Sequence, residues 1–339
     1  MRAEPAAIST DSTSLTSASC RPQASATPDD LVGTAATISA GGQPETSFAT
    51  GERPTSSRAE TGAAPDNRSA SRGRLESALR GGRRPLLVPY VTGGITPAWT
   101  DYLLAYQDGG ADAVEVGLPF SDPMLDGATI QRASDRALAR GATVDTILAD
   151  LAALNGRLRL PIVVMTYANL VFRSSGFCRR LAGAGVSGLI VPDLPVDELG
   201  ELPAEAAAAG VDLVLLVAPA TTPERLREIC ARSRGFVYAV SVMGTTGERA
   251  ALASSAASLA ARVRAVTDRP VLIGFGVSTP EQAAEAGRAG DGAVVASALM
   301  RRVLDGATPA DLRSDVAAMR EAMEVRPARP DAEVSGHRG

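Results

Sequence analysis

Eight short apolar runs divide residues 86 to 295, and they constrain the fold more than anything else in the chain. They cover residues 86–91, 113–116, 162–166, 188–191, 213–217, 236–240, 271–274 and 292–295. Each is four to six residues long, the length of a buried strand and too short for a core helix. Helix-like stretches follow most of them, at 128–139, 144–154, 223–232, 256–266 and 280–286, and a short one at 74–80 precedes the first. Strands that alternate with helices pair in parallel through crossover helices. Eight such units over about 250 residues predict a (β/α)8 TIM barrel of the α/β class. An open doubly wound sheet is the competing arrangement. The barrel should occupy residues 72–325. Residues 1–71 are rich in Ser, Thr, Ala, Gly and Pro without apolar periodicity, which predicts a disordered extension. Residues 326–339 read as a loose tail.

In a barrel the active site lies at the C-terminal ends of the strands, and chemistry-bearing residues gather there. The first run ends with Tyr90 and Thr92. The second contains Glu115, a carboxylate inside an apolar strand, where desolvation costs several kcal/mol or raises the pKa. A carboxyl tuned in this way can exchange a proton near neutral pH. Asp126 follows at the junction of loop and helix. Two plainer readings stay open: Glu115 as an ion-paired core acid and Asp126 as the N-cap of that helix. The third run leads into Thr166-Tyr167-Ala168-Asn169, the fourth to Asp193, and the sixth carries Tyr238. Each tyrosine has a second reading as an amphipathic core residue, and Asp193, before Leu194-Pro195, as a turn-forming acid.

The last third places glycines at three successive strand ends: Gly244-Thr245-Thr246-Gly247, Gly274-Phe275-Gly276, and the small residues Ala296-Ser297-Ala298. Barrels bind phosphate with the loops after strands seven and eight and a helix N-terminus. Glycine lets backbone N–H groups approach an anion, and the helix dipole favours its charge. These ends therefore predict a phosphate cup.

What the chain lacks narrows the chemistry further. Among 34 basic residues none is lysine, and the only histidine, His337, falls in the last three positions. A protein Schiff base is impossible, and a histidine-ligated metal or histidine base would have to come from the tail. No metal site is expected. Net charge is -4 with scattered arginines, which argues against nucleic-acid and membrane-surface partners. Three cysteines (Cys20, Cys178, Cys230) are too few and too far apart for a disulfide framework, so a cytoplasmic location is expected.

The stretch Glu115-Val116-Gly117-Leu118-Pro119-Phe120-Ser121-Asp122-Pro123, with Asp126-Gly127, resembles the signature of the tryptophan synthase alpha chain family. Met165-Thr166-Tyr167-Ala168-Asn169, Pro192-Asp193-Leu194-Pro195, Gly244-Thr245-Thr246-Gly247 and Gly274-Phe275-Gly276-Val277 follow in the family's order and spacing. The resemblance covers residues 74–323. It implies a barrel that cleaves indole-3-glycerol phosphate to indole and glyceraldehyde 3-phosphate without a cofactor of its own. It also implies a beta-chain partner, which carries pyridoxal phosphate and forms an α2β2 heterotetramer. Position by position, it implies that Glu115 is the acid–base carboxylate, Asp126 the acid facing the indole nitrogen, and Tyr238 the tyrosine beside them. Gly247, Gly276, Ala296 and Ser297 match phosphate-site positions, and Tyr90, Thr92, Tyr167 and Phe275 the substrate pocket. The lysine-free composition suits this reaction, because protonating indole at C3 makes the substrate its own electron sink.

Ala296 departs from the family, which usually has glycine there, and so do Met124, Leu125, Ala128 and Met243. A stand-alone indole-releasing lyase and a non-catalytic phosphate-binding barrel are the alternatives. The small residues at 242–255 predict a mobile lid in which Thr246 reaches Asp126.

Overall fold

The chain enters the fold through a short helix, α1 (Arg74–Gly81), and then alternates strand and helix. The order is β1 (Leu86–Thr92), α2 (Trp99–Asp108), β2 (Val114–Gly117), α3 (Ala128–Ala139), α4 (Val144–Ala153), β3 (Ile162–Met165), α5 (Ala168–Phe172) and α6 (Phe177–Gly183). It continues with β4 (Val186–Ile190), α7 (Leu202–Ala209), β5 (Asp212–Val217), α8 (Pro223–Arg232), β6 (Val237–Val240) and α9 (Arg249–Arg264). β7 (Val271–Gly274), α10 (Pro280–Ala289), β8 (Gly292–Val295), α11 (Ser297–Leu304) and α12 (Pro309–Glu324) complete it. This computed structural model describes residues 73–82, 85–240, 249–274 and 276–325. The expected extension (1–71) and tail (326–339) lie outside those residues, as do Met243, Gly244, Thr246, Gly247 and Phe275.

All eight strands pair in parallel, each with its sequence neighbour, and β8 closes on β1. The expected (β/α)8 barrel is therefore the fold, and the open sheet is not. Closure leaves strands covered on both faces, which is why they read as nearly unbroken apolar runs. One apolar layer fills the space between barrel and helices, built on residues such as Leu87, Val116, Val164, Leu189 and Val295. A second fills the barrel itself: Val88, Ala113, Val163, Ile190, Val214, Leu272 and Val294, closed at the strands' N-terminal end by Leu75 and Leu79 of α1.

Local sequence explains the helix starts. Thr222-Pro223, Thr279-Pro280 and Thr308-Pro309 repeat one device: the threonine side chain accepts a first-turn N–H, and the proline sits where no donor is needed. One boundary needs correction. Residues 249–255, assigned to a lid, belong to α9. Alanine has the highest helix propensity, so the run 250–256 extends the helix instead of loosening the loop. Among the described residues no helix is long and apolar enough to cross a membrane.

Candidate active site

Pleating puts Tyr90, Glu115 and Val163 abreast across β1, β2 and β3, and Thr92, Gly117 and Met165 abreast two residues further on. Glu115 thus lies on the level that leads to the C-terminal mouth. It is 1% exposed, and its Oε2 has no hydrogen-bond partner. No ion pair reaches it among the described residues, so the reading as an ion-paired core acid is not what the fold builds. Burial, reinforced by the nearby Asp126 charge, pushes its pKa up to about 8.

Asp126 does not cap α3. The N-cap is Gly127, in extended conformation, and no side chain caps that helix. The Asp126 carboxyl is instead raised to about 6, mainly by burial, with a hydrogen bond from the Tyr167 hydroxyl working the other way. Tyr167 also accepts the Leu125 N–H at 3.2 Å, and its ring stacks on Phe120 with centroids 5.0 Å apart. The loop after β2 is therefore fastened to the end of β3 through one tyrosine, at two points that precede Asp126. Phe120 and the Leu125 N–H are contributors that sequence reasoning left unassigned; Phe120 lies inside the quoted motif.

Tyr90 and Tyr238 are both buried inside the barrel. Each rests on a glycine of a neighbouring strand. A methyl group on Gly117 would stand 1.9 Å from the Tyr90 hydroxyl, and one on Gly274 would stand 2.0 Å from the Tyr238 ring. The Tyr90 hydroxyl shares a 3.2 Å hydrogen bond with Thr92, which is itself fully buried. Burial raises both phenols well above their ordinary value, and both lie within electrostatic reach of Glu115 and Asp126. They remain neutral around the two carboxyls.

After β8, α11 starts at Ser297 with no side chain capping it, so its first-turn N–H groups stay open to an anion. Ala296 precedes it at φ -114°, a backbone angle that does not demand glycine. Gly276 has φ +85°, in the left-handed region where glycine is favoured. Gly276, Ala296 and Ser297 thus stand at the ends of β7 and β8, as expected. Gly247, Thr246 and Phe275 lie outside the described residues. No group of three or more His, Cys, Asp or Glu that could hold a metal occurs among the described residues.

Two buried carboxyls with raised pKa values, at the barrel end where substrates bind in this fold, fit an acid–base enzyme of the (β/α)8 class. Comparison with known proteins names the kind. The model of the family described as tryptophan synthase alpha chain matches residues 77–327. The tryptophan synthase alpha chain of Gloeobacter violaceus is 47% identical over 233 residues, 67% of this chain and 84% of that protein. That of Mycobacterium ulcerans is 46% identical over 249 residues, 71% of this chain and 91% of that protein. A solved structure of Mycobacterium tuberculosis tryptophan synthase shares 39% identity at a TM-score of 0.69, covering 75% of this chain and 100% of that one. The chain belongs to the tryptophan synthase alpha chain family. It is a lyase of tryptophan biosynthesis that cleaves indole-3-glycerol phosphate to indole and glyceraldehyde 3-phosphate. Neither the stand-alone lyase nor the non-catalytic barrel is favoured.

Proposed function

We propose that Glu115 and Asp126 divide the acid–base work of this cleavage. The observation that carries the reading is the split between them: at pH 7 a carboxyl with a pKa near 8 is mostly protonated, and one near 6 mostly ionised. Glu115 then donates its proton to C3 of the indole ring, and Asp126 stabilises the N–H of the resulting iminium. The Glu115 carboxylate takes the proton from the side-chain hydroxyl. The carbon–carbon bond breaks, its electron pair restores the indole, and the hydroxyl carbon becomes the aldehyde of glyceraldehyde 3-phosphate. Glu115 ends protonated, as it began, so the cycle closes without a cofactor. Tyr238 and Tyr90 wall the ring and keep water from the carboxyls, with Tyr167, Thr92 and Phe275. Backbone groups at Gly247, Gly276, Ala296 and Ser297, with the Ser297 hydroxyl, hold the phosphate, and Thr246 closes on Asp126. We assign all of this to residues 72–325.

Glu115→Gln keeps the shape of the side chain and removes its proton. It should lower kcat by about 10²–10⁴-fold while sparing KM. Indole release retained within about tenfold would make Glu115 a structural acid.

We also propose a beta-chain partner, holding the pyridoxal phosphate, in an α2β2 assembly in the cytoplasm. Met124 and Leu125 in the loop after β2 and Phe172 at the end of α5 are 79%, 50% and 60% exposed. Large apolar side chains displayed around one strand-end region favour a partner surface. Mixing the chain with a beta chain should change its turnover and co-elute the two. An unchanged rate without co-elution would remove the partner.

A further inference from the structure

The buried tyrosine that holds the loop after β2 is itself held by strand four. Tyr167 is the N-cap residue of α5, and its side chain makes no capping bond to that helix. The hydroxyl is committed elsewhere, to the N–H of Leu125, the residue next to Asp126. The first helical N–H, that of Ala168, would then lack an acceptor. Asp193, in the loop after β4, supplies one: its Oδ1 accepts the Ala168 N–H at 2.9 Å. On the other side of Tyr167, the Thr166 N–H donates to the Ile190 carbonyl at 3.0 Å. The residue is thus fixed to strand four both before and after, once through backbone and once through the Asp193 carboxylate.

We infer that Asp193 is a positioning residue of the cleavage reaction: by capping α5 at Ala168 it fixes Tyr167, and through Tyr167 it sets where the Asp126 carboxyl stands. The inference rests on the reading of Asp126 as the acid that meets the indole nitrogen. Asp193 touches neither Asp126 nor the ring in this account. It acts across two hydrogen bonds, and what it requires of its own side chain is an acceptor oxygen, not a charge. Stacking of Tyr167 on Phe120 preserves the ring plane, so losing the cap should tilt the hydroxyl without unseating the ring.

The test is a set of variants assayed for indole release across pH. Asp193→Ala should lower kcat about tenfold with KM within about twofold, since small misplacements of a catalytic group are costly. The hydrogen bond from Tyr167 lowers the Asp126 pKa, so weakening it raises that pKa further. Asp126 works ionised, and the acid limb of kcat should move to higher pH, by about half a unit. Asp193→Asn, which still offers an acceptor, should restore most of kcat and the original limb. Tyr167→Phe should shift the limb the same way, and Asp193→Ala added to it should shift it no further. A lowered Tm in Asp193→Ala with wild-type kcat and pH profile would overturn the inference, as would failure of Asn to rescue. Should Asp193→Ala not fold, an unshifted limb in Tyr167→Phe overturns it alone. Asp126→Asn separates the two levels. Full activity there removes the reading of Asp126, whereas an impaired Asp126→Asn beside a normal Asp193→Ala removes only the positioning role.

Discussion

The two ends of the barrel both bury acids, and they treat them in opposite ways. At the strands' N-terminal end every buried acid has a partner. Glu76 of α1 pairs with Arg80 at 2.9 Å and Arg269 at 3.5 Å. Asp212, opening β5, accepts the Glu76 N–H at 3.0 Å. Asp112, before β2, pairs with Arg320 of α12 and accepts the Leu87 N–H at 2.8 Å. At the C-terminal end Glu115 has an oxygen without a hydrogen-bond partner, and no ion pair reaches it among the described residues. Burial raises the pKa of Asp212 as well as that of Glu115, so a raised pKa does not by itself mark a working acid. What sets Glu115 apart from Asp212 is its oxygen without a donor. A carboxyl oxygen without a donor keeps its capacity for a ligand, whereas the paired acids at the other end have spent theirs on the protein.

Opposite treatment implies opposite responses to removal. Arg320 is 5% exposed and also donates to the Gly110 and Pro85 carbonyls at 2.9 and 2.7 Å. Arg320→Leu should cost about 3–5 kcal/mol, the penalty for leaving a buried charge unpaired, while kcat per folded molecule stays near wild type. Glu115→Gln should do the reverse, losing activity and gaining stability. The sign follows from linkage. The folded chain keeps the Glu115 proton until pH is near 8, whereas the unfolded chain releases it near 4.5. The folded state therefore binds the extra proton in this window, and wild-type stability falls as pH rises through it. Gln has no such dependence, so its advantage should grow from pH 5 to pH 8 to on the order of 3 kcal/mol, or about 6–12 °C in Tm. Thermal melts of both variants at the two pH values check the contrast. A destabilised Glu115→Gln, or a thermally neutral Arg320→Leu, would break it.

Much of this contrast is legible in the sequence, and the rest is not. β7 and β8 fall where apolar runs with glycine at one end put them, and Glu115 stood out because an acid in a strand is expensive. β4 begins at Val186, before the expected start, because Ser187 breaks the apolar run although the barrel buries it. α9 begins early for the propensity reason given above. Candidate residues within one motif are readable together: Glu115 and Asp126 both belong to β2 and its loop. Relations between strands are not. Nothing in the order of residues says that Gly117 makes room for Tyr90 or Gly274 for Tyr238. Nor does it say that Asp193 serves Ala168. These contacts exist only once the sheet has closed, and a turn-forming aspartate reads the same whether or not a helix start stands beside it.

The smallest effect concerns the phosphate end, where the comparison with the sealed end is subtlest. A helix start caps itself at Thr279 and Thr308, each accepting its own first-turn N–H, and leaves itself uncapped at Ala296. At ψ -74° a threonine at Ala296 would not reach the extended conformation of the capping threonines, at ψ 162° and 164°, but its branched side chain would crowd an anion more than alanine does. The family's usual glycine would leave the first-turn N–H groups equally open. It would matter more only if the site required positive φ or a closer approach, and φ at Ala296 is -114°. Ala296→Gly should therefore leave kcat unchanged and KM the same or lower, within about twofold. Ala296→Thr should raise KM several-fold with little change in kcat, since the branched side chain crowds the open N–H groups proposed to hold the phosphate. Steady-state kinetics on the three forms decides it. A several-fold rise in KM for the glycine form would mean that the methyl group contacts the substrate instead of merely sparing the cup.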